Sequence, residues 1–266
     1  MDNRPIGMFD SGVGGMTVFW EVMKNFPNED IVYLGDTKRF PYGNKSTDTI
    51  IELSKKAIDF LISQDVKLII IACGTATSQA LEEVRKIYKI PIIGIIEGTI
   101  DSLKEDLSSK IGVIATTGTI KTKAWENEIV RKIKDVEVIS EACPLLAPMA
   151  EEGWTDNDVA KYTIKEYMKP FKNQKINKLI LGCTHYPLFT SLIKEELGKE
   201  VEVINTGEKL AQYLQKFMVV NNLKNNLHKD GKYRIYLTDT ECNFIHVAGK
   251  LIKNDKLIRN IDRIDI

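Results

Sequence analysis

Apolar residues along this chain alternate between two periods. Continuous aliphatic and β-branched runs fall at Ile6–Phe9, Ile31–Leu34, Leu68–Ala72, Ile90–Ile95, Ile111–Ala115, Lys178–Leu181, Val201–Ile204 and Tyr233–Leu237. Runs of this length without polar alternation bury both faces, as strands of a parallel sheet covered by helices do. Between them, Ser46 or Thr47 can cap a helix whose Ile50, Leu53, Ala57, Phe60 and Leu61 form one stripe. Leu81, Val84 and Tyr88 repeat that period, and another helical pattern begins near Thr17. Strand and helix alternating at this spacing predict βαβ units and an α/β fold of mainly parallel sheets flanked by helices.

One internal echo stands out. Leu68-Ile-Ile-Ile-Ala-Cys73-Gly-Thr75 resembles Lys178-Leu-Ile-Leu-Gly-Cys183-Thr184-His185, an apolar strand ending in cysteine and hydroxyl residues. The echo predicts two similar domains, each presenting one thiol beyond the carboxyl end of a strand, where open α/β sheets carry their sites. The length of 266 residues accommodates two such domains, and no Pro/Gly/Ser-rich linker divides them.

Composition narrows the function. Thirty-seven basic residues balance 37 acidic ones, so the chain lacks the electrostatic driving force of a dedicated nucleic-acid binder. With 43% hydrophobic and 28% charged residues it is an ordinary globular chain. The longest strong apolar run, Leu68–Cys73, is strand-sized and too short to span a membrane. An N-terminus without an apolar signal region predicts a cytoplasmic protein whose thiols stay reduced. The cysteines at 73, 143, 183 and 242 are then free, and they lack the C-x-x-C spacing of a zinc or redox site.

Four segments carry candidate chemistry. Phe9-Asp10-Ser11-Gly12-Val13-Gly14-Gly15-Met16-Thr17 follows a strand, but Thr17 stands where a dinucleotide fingerprint needs glycine and no Gly-Lys-Ser/Thr follows. What remains is a loop whose amides and Ser11 hydroxyl can approach a small anion, with Asp10 placed to hold an ammonium group, orient a thiol or simply cap a helix. Gly35-Asp-Thr followed by Pro41-Tyr42-Gly43 sets a backbone amide and a phenol in a turn suited to a carboxylate ligand, or to an ordinary surface turn. Cys73-Gly74-Thr75 places a thiol at a helix N-terminus, where dipole and free amides favour the thiolate.

The fourth segment, Gly182-Cys183-Thr184-His185-Tyr186-Pro187, is the most informative. Were the strand to continue to His185, residues 183 and 185 would point the same way. Cys183 and His185 then suit a nucleophilic hydrolase, a metal site completed by His228 or His246, or a thiol acting as acid and base. Glu151 and Glu152, before Gly153, are candidate carboxylates or a solvated pair at a helix end. Two thiols on matching strand ends fit a further chemistry, inversion of a carbon acid between two monoprotic bases.

Taken in order, Asp10-Ser-Gly-Val-Gly-Gly, Gly35-Asp-Thr with Pro41-Tyr-Gly, Cys73-x-Thr75, Gly118-Thr119 and Gly182-Cys-Thr-His-Tyr-Pro resemble glutamate racemase, from Ile6 to about Gly249. The resemblance implies a cofactor-independent, metal-free isomerase supplying D-glutamate for peptidoglycan, with a small-molecule substrate, a homodimeric assembly, and no nucleic-acid or membrane partner. It implies a discontinuous first domain of residues 1–96 plus 211–266 and a second of 97–210, with the substrate enclosed between them. It implies Cys73 and Cys183 as the catalytic pair, assisted by Asp10, Glu151 and His185. Its substrate contacts would come from Asp10, Ser11, Tyr42, Gly43, Gly74, Thr75, Thr117, Thr119, Thr184 and His185. Gly74 replaces the family's usual Asn, implying weaker substrate binding or a water in the amide's place. Glu97-Gly98-Thr99 replaces Glu-Pro-Gly, implying a more mobile interdomain hinge. An aspartate racemase of the same group, a cysteine hydrolase independent of Cys73, and a glutamate-binding module are the competing functions.

Overall fold

The computed structural model describes residues 1–101, 103, 110–227, 229–240, 248–249 and 261–266. Cys242, His228 and His246 lie outside the described residues.

The first half runs β1 (Ile6–Asp10), α1 (Gly15–Asn25), β2 (Ile31–Gly35), α2 (Thr47–Ser63), β3 (Leu68–Ile71), α3 (Gly74–Ile87), β4 (Ile92–Gly94) and α4 (Ile95–Asp101). Then follow β5 (Lys110–Ala115), α5 (Thr117–Thr122), α6 (Ala124–Lys132), β6 (Glu137–Ala142), α7 (Leu146–Glu151), α8 (Asp158–Gln174), β7 (Lys178–Leu181), α9 (Thr190–Leu197) and β8 (Glu202–Ile204). The chain returns through α10 (Thr206–Val220) to β9 (Tyr233–Leu237) and β10 (Ile261–Arg263). Two sheets result, in the orders β10-β9-β2-β1-β3-β4 and β6-β5-β7-β8, and every described pairing is parallel.

The α/β class with mainly parallel sheets is what the apolar runs predict. Leu68-Ile-Ile-Ile shows why they carry no polar alternation: Leu68 and Ile70 face one core while Ile69 and Ile71 face the other. Ser46 is the cap of α2, accepting from the Thr49 amide at 3.3 Å, and Ile50, Leu53, Ala57 and Leu61 are buried beneath it. Phe60 is only half-buried, edge-on to Tyr236 at the margin of that core.

Two strands escape the sequence pattern. Glu137–Ala142 mixes polar and apolar residues because it is the half-exposed edge of the second sheet, and Ile261–Arg263 is a three-residue edge of the first. The echo corresponds to a repeated strand order, β2-β1-β3-β4 in one sheet and β6-β5-β7-β8 in the other. Each echo strand, β3 or β7, lies inside its sheet, and its cysteine comes two residues after the last strand residue.

Glu97-Gly98-Thr99, expected to be a mobile hinge, lies within helix α4. Glu97 pairs with Arg85, Thr99 donates to the Ile95 carbonyl at 2.7 Å, and a Cβ at Gly98 would lie 2.5 Å from the Leu210 side chain of α10.

Candidate active site

Both cysteines of the echo reach one small cavity. It measures about 20 Å³, room for roughly one water, and its walls include Ser11, Cys73 and Thr75 from the first half with Thr116, Cys183 and His185 from the second. Tyr42, Gly43, Gly74 and Thr184 also border it. Among the expected site residues, Thr117 lies instead on a larger outer cleft, and Thr119 and Glu151 support the walls from behind.

Cys73 is the N-cap of α3, and its Sγ accepts from the Ala76 amide at 3.4 Å. The thiol donates to Ser11 Oγ at 3.6 Å. The helix terminus is present as expected, but its effect on acidity is overridden. Burial, followed by the negative charge of Asp10, pushes the Cys73 thiol up to about 12, against the smaller pull of the Ala76 amide and Ser11. Cys73 is therefore held as the protonated thiol.

Asp10 ends β1 and is wholly buried. It accepts from the Gly12 amide at 2.9 Å and from Thr184 Oγ1 at 3.2 Å, the latter a bond between the halves. Burial raises its carboxyl to about 6, opposed by the positive charge of His185 and by these two hydrogen bonds.

On the second side the strand stops at Leu181, so Cys183 and His185 do not face one way by strand alternation. A turn into the 3-10 segment Tyr186–Phe189 brings them together, with Cys183 Sγ 3.8 Å from His185 Nδ1. The other ring nitrogen, Nε2, lies 2.7 Å from Glu151 Oε1, and that oxygen also accepts from the Val13 amide at 3.2 Å. Burial alone would lower the His185 pKa. The hydrogen bonds to Cys183 and Glu151 and their negative charges outweigh it and hold His185 well above the usual imidazole range. Glu152 is an exposed helix end and takes no part.

The glycine loop packs against the second half. A Cβ at Gly12 would lie 2.8 Å from Glu151 Oε1, and one at Gly14 would collide with the His185 ring. These positions are bare so that the second half's carboxylate and imidazole can pack against the loop, leaving only Ser11 of the segment on the cavity. The phenol of Tyr42 donates to Asp36 at 2.6 Å, and Tyr42 and Gly43 both border the cavity. A Cβ at Gly74 would overlap the Gly182 carbonyl oxygen, so the two thiol-bearing segments meet backbone to backbone.

Several residues escape the sequence reading. Thr116 borders the cavity and joins Thr75 and Thr119 in a hydroxyl cluster at 2.9 to 3.2 Å; its signal was the N-cap position after the strand Ile111–Ala115. Phe40 packs tilted on His185 with centroids 5.3 Å apart, and Tyr33 donates to the Gly12 carbonyl at 2.8 Å. Neither carries a sequence signal apart from its place in an apolar run or turn. Among the described residues no cluster of three or more His, Cys, Asp or Glu could hold a metal, and no helix is long and apolar enough to cross a membrane.

A family profile for Asp/Glu/Hydantoin racemase matches residues 25–214. A glutamate racemase of Sulfurihydrogenibium is 42% identical over 254 residues, 95% of this chain and 95% of that protein. One of Geobacter metallireducens is 40% identical over 250 residues, 94% of this chain and 93% of its own. The crystal structure of Francisella tularensis glutamate racemase in complex with D-glutamate superposes with a TM-score of 0.91 at 37% identity, covering 100% of this chain and 98% of that one. A Bacillus anthracis glutamate racemase isoform gives 0.94 at 32% identity, covering 100% and 99%. With the profile spanning most of the chain and these relatives matching nearly all of it, the chain belongs to the Asp/Glu/Hydantoin racemase family, on the branch occupied by the glutamate racemases.

Proposed function

We propose that the protein interconverts L- and D-glutamate by two-base proton transfer between Cys73 and Cys183, without a cofactor, supplying D-glutamate for peptidoglycan in the cytoplasm. The observation that carries this reading is one small cavity with a thiol from each half on its wall. The substrate of the superposing relatives supports glutamate.

In the L-to-D direction Cys183, as thiolate, takes the α-proton. The carbanion then takes the proton of the Cys73 thiol on its opposite face, breaking S–H and forming C–H. The enzyme is left with a Cys183 thiol and a Cys73 thiolate, the form that runs the reverse reaction. His185, held as imidazolium by Glu151, lies where it pairs with a thiolate on Cys183. Burial keeps Cys73 protonated and ready to donate. Asp10, raised to about 6 beside it, can exchange a proton with the site near neutral pH.

The remaining roles follow the same reading. Ser11, Gly43, Gly74, Thr75, Thr184 and the backbone of Tyr42 contact the substrate, with Thr117 and Thr119 shaping the wall behind Thr75. Residues 1–96 with 211–266 and residues 97–210 act as two closing bodies, and the protein works as a homodimer. Closure excludes water, which strengthens the donors that stabilise the carbanion.

Proton NMR of L-glutamate in D2O with purified protein and no added cofactor tests this. Loss of the α-proton signal together with growth of the D-enantiomer is expected. A persisting signal, with folded protein and reduced thiols, would reject the proposal.

A further inference from the structure

The cavity holding the thiols is far too small for an amino dicarboxylate, so the halves must part before substrate can reach it. The place where they part is marked by a second opening. An outer cleft of about 500 Å³ lies between the two halves, bordered by Gly43, Lys45 and Gln79 on one side and by Thr117, Gly118 and Lys121 on the other. Gly43 borders both the cleft and the inner cavity. The wall between them is thin. A Cβ at Gly43 would lie 2.8 Å from Thr116 Cβ, and one at Gly118 would lie 2.7 Å from the Gly43 carbonyl oxygen.

The charge of the cleft is one-sided. Lys45 is half-buried and Lys121 exposed, and among the described residues neither forms an ion pair and no carboxylate lines the cleft. Elsewhere on the surface lysines commonly meet acids, as Lys132 meets Asp101 at 2.9 Å and Lys172 meets Glu196 at 2.5 Å. In a chain of zero formal charge, two lysines that border one cleft, one from each half and neither paired among the described residues, make a local positive field.

We infer that this outer cleft is the vestibule through which an anionic amino dicarboxylate reaches the thiols, with Lys45 and Lys121 attracting its carboxylates and the contact of Gly43 with Thr116 and Gly118 as the gate. The inference rests on the proposed glutamate chemistry for its ligand and on the cleft for its geometry. Because the lysines stand outside the cavity, they act on approach and binding and leave proton transfer alone.

Steady-state rates in both directions, measured at low and raised ionic strength for the wild type, Lys45→Gln/Lys121→Gln and Lys45→Glu/Lys121→Glu, test it. The wild type should lose kcat/KM as salt rises. The Gln pair should start about three- to tenfold lower with a flatter salt dependence and unchanged kcat, and the Glu pair lower still. A Gln pair with wild-type kcat/KM and salt dependence, or one that loses kcat at constant KM, overturns the vestibule. Binding is read separately from turnover by titrating glutarate, a dicarboxylate with no ammonium group, into isotope-labelled protein. Saturable shifts of the Gly43 and Gly118 amides that vanish in the Gln pair are expected. Their absence in the wild type overturns the inference whether or not glutamate is racemised, whereas shifts without racemisation reject only the proposed reaction.

Discussion

Thr184 donates its hydroxyl to Asp10 across 3.2 Å, joining the turn that carries the second thiol to the strand end beside the first. The two residues stand 174 positions apart in the chain, and the bond couples the acid of one half to the thiol segment of the other. Cutting that coupling, or the groups on either side of it, has separable consequences.

On the proposed mechanism the thiols divide racemisation into two half-reactions. Cys73→Ala and Cys183→Ala should each lower racemisation by at least about a thousandfold, since each removes the sole base on one face. Each variant should stay folded and still exchange the α-proton of the enantiomer its remaining thiol faces, because one base can take and return a proton on the same side. Polarimetry set against deuterium wash-in separates the two. Wild-type racemisation in either variant would remove that cysteine from the mechanism.

Asp10 should trade stability for function. Burial holds its folded carboxyl at about 6, above the ordinary aspartate value of about 3.8, so the folded state holds a proton that the unfolded state has released between these values. Stability therefore falls as pH rises through that window, by about 3 kcal/mol in all. Asp10→Asn should flatten this part of the Tm-against-pH curve and raise Tm at pH near 8 while lowering kcat. An unchanged slope would show that Asp10 is not the group responsible.

His185 and Glu151 should act on one direction more than the other. Glu151→Gln removes the carboxylate that faces Nε2, and His185→Asn removes the ring, so abstraction by Cys183 should slow by about a hundredfold. The His185 pKa is raised, so its favourable interactions are complete below the ordinary imidazole range and are lost as pH climbs through the higher folded value. Glu151→Gln should therefore bring the alkaline limb of the L-to-D kcat profile to lower pH. Equal slowing in both directions with an unmoved limb would make the pair purely structural.

Gly74 is pinned by backbone. A Cβ there meets the Gly182 carbonyl, which cannot swing away as a side chain would, so Gly74→Ala should cost about 1 to 3 kcal/mol or push the thiol segments apart. Gly74→Asn should show the same penalty. Urea unfolding and kcat measured together on both variants check this, and full stability with full turnover would show that the segments separate freely.

Lys67 provides a contrast remote from the thiols. Its side chain is fully buried, donating to Glu29 and, at 2.9 Å, to the Asp2 carbonyl. Lys67→Met should destabilise by about 3 kcal/mol by stranding Glu29, and leave kcat unchanged in the folded fraction. A loss of kcat without loss of stability would contradict this assignment.

The pattern of apolar runs determined the class, most of the strands and the strand-end placement of both cysteines. Burial on two faces is a local property, written as consecutive apolar residues in segments such as Leu68–Ile71. Capping is local too, which is why Ser46 was legible as the start of α2. Edge strands such as Glu137–Ala142 were not, since an edge relaxes the demand for apolar residues. The motif resemblance named residues of which several border one cavity, but their spatial relations came from tertiary structure. Thr184 on Asp10, Glu151 on both His185 and the Val13 amide, and Gly74 against Gly182 are contacts between segments far apart in the chain. The acidities followed the same rule. A helix N-terminus is visible in sequence and argues for a thiolate at Cys73, whereas desolvation and the charge of Asp10 depend on the enclosure that folding creates, and these decide that the thiol keeps its proton.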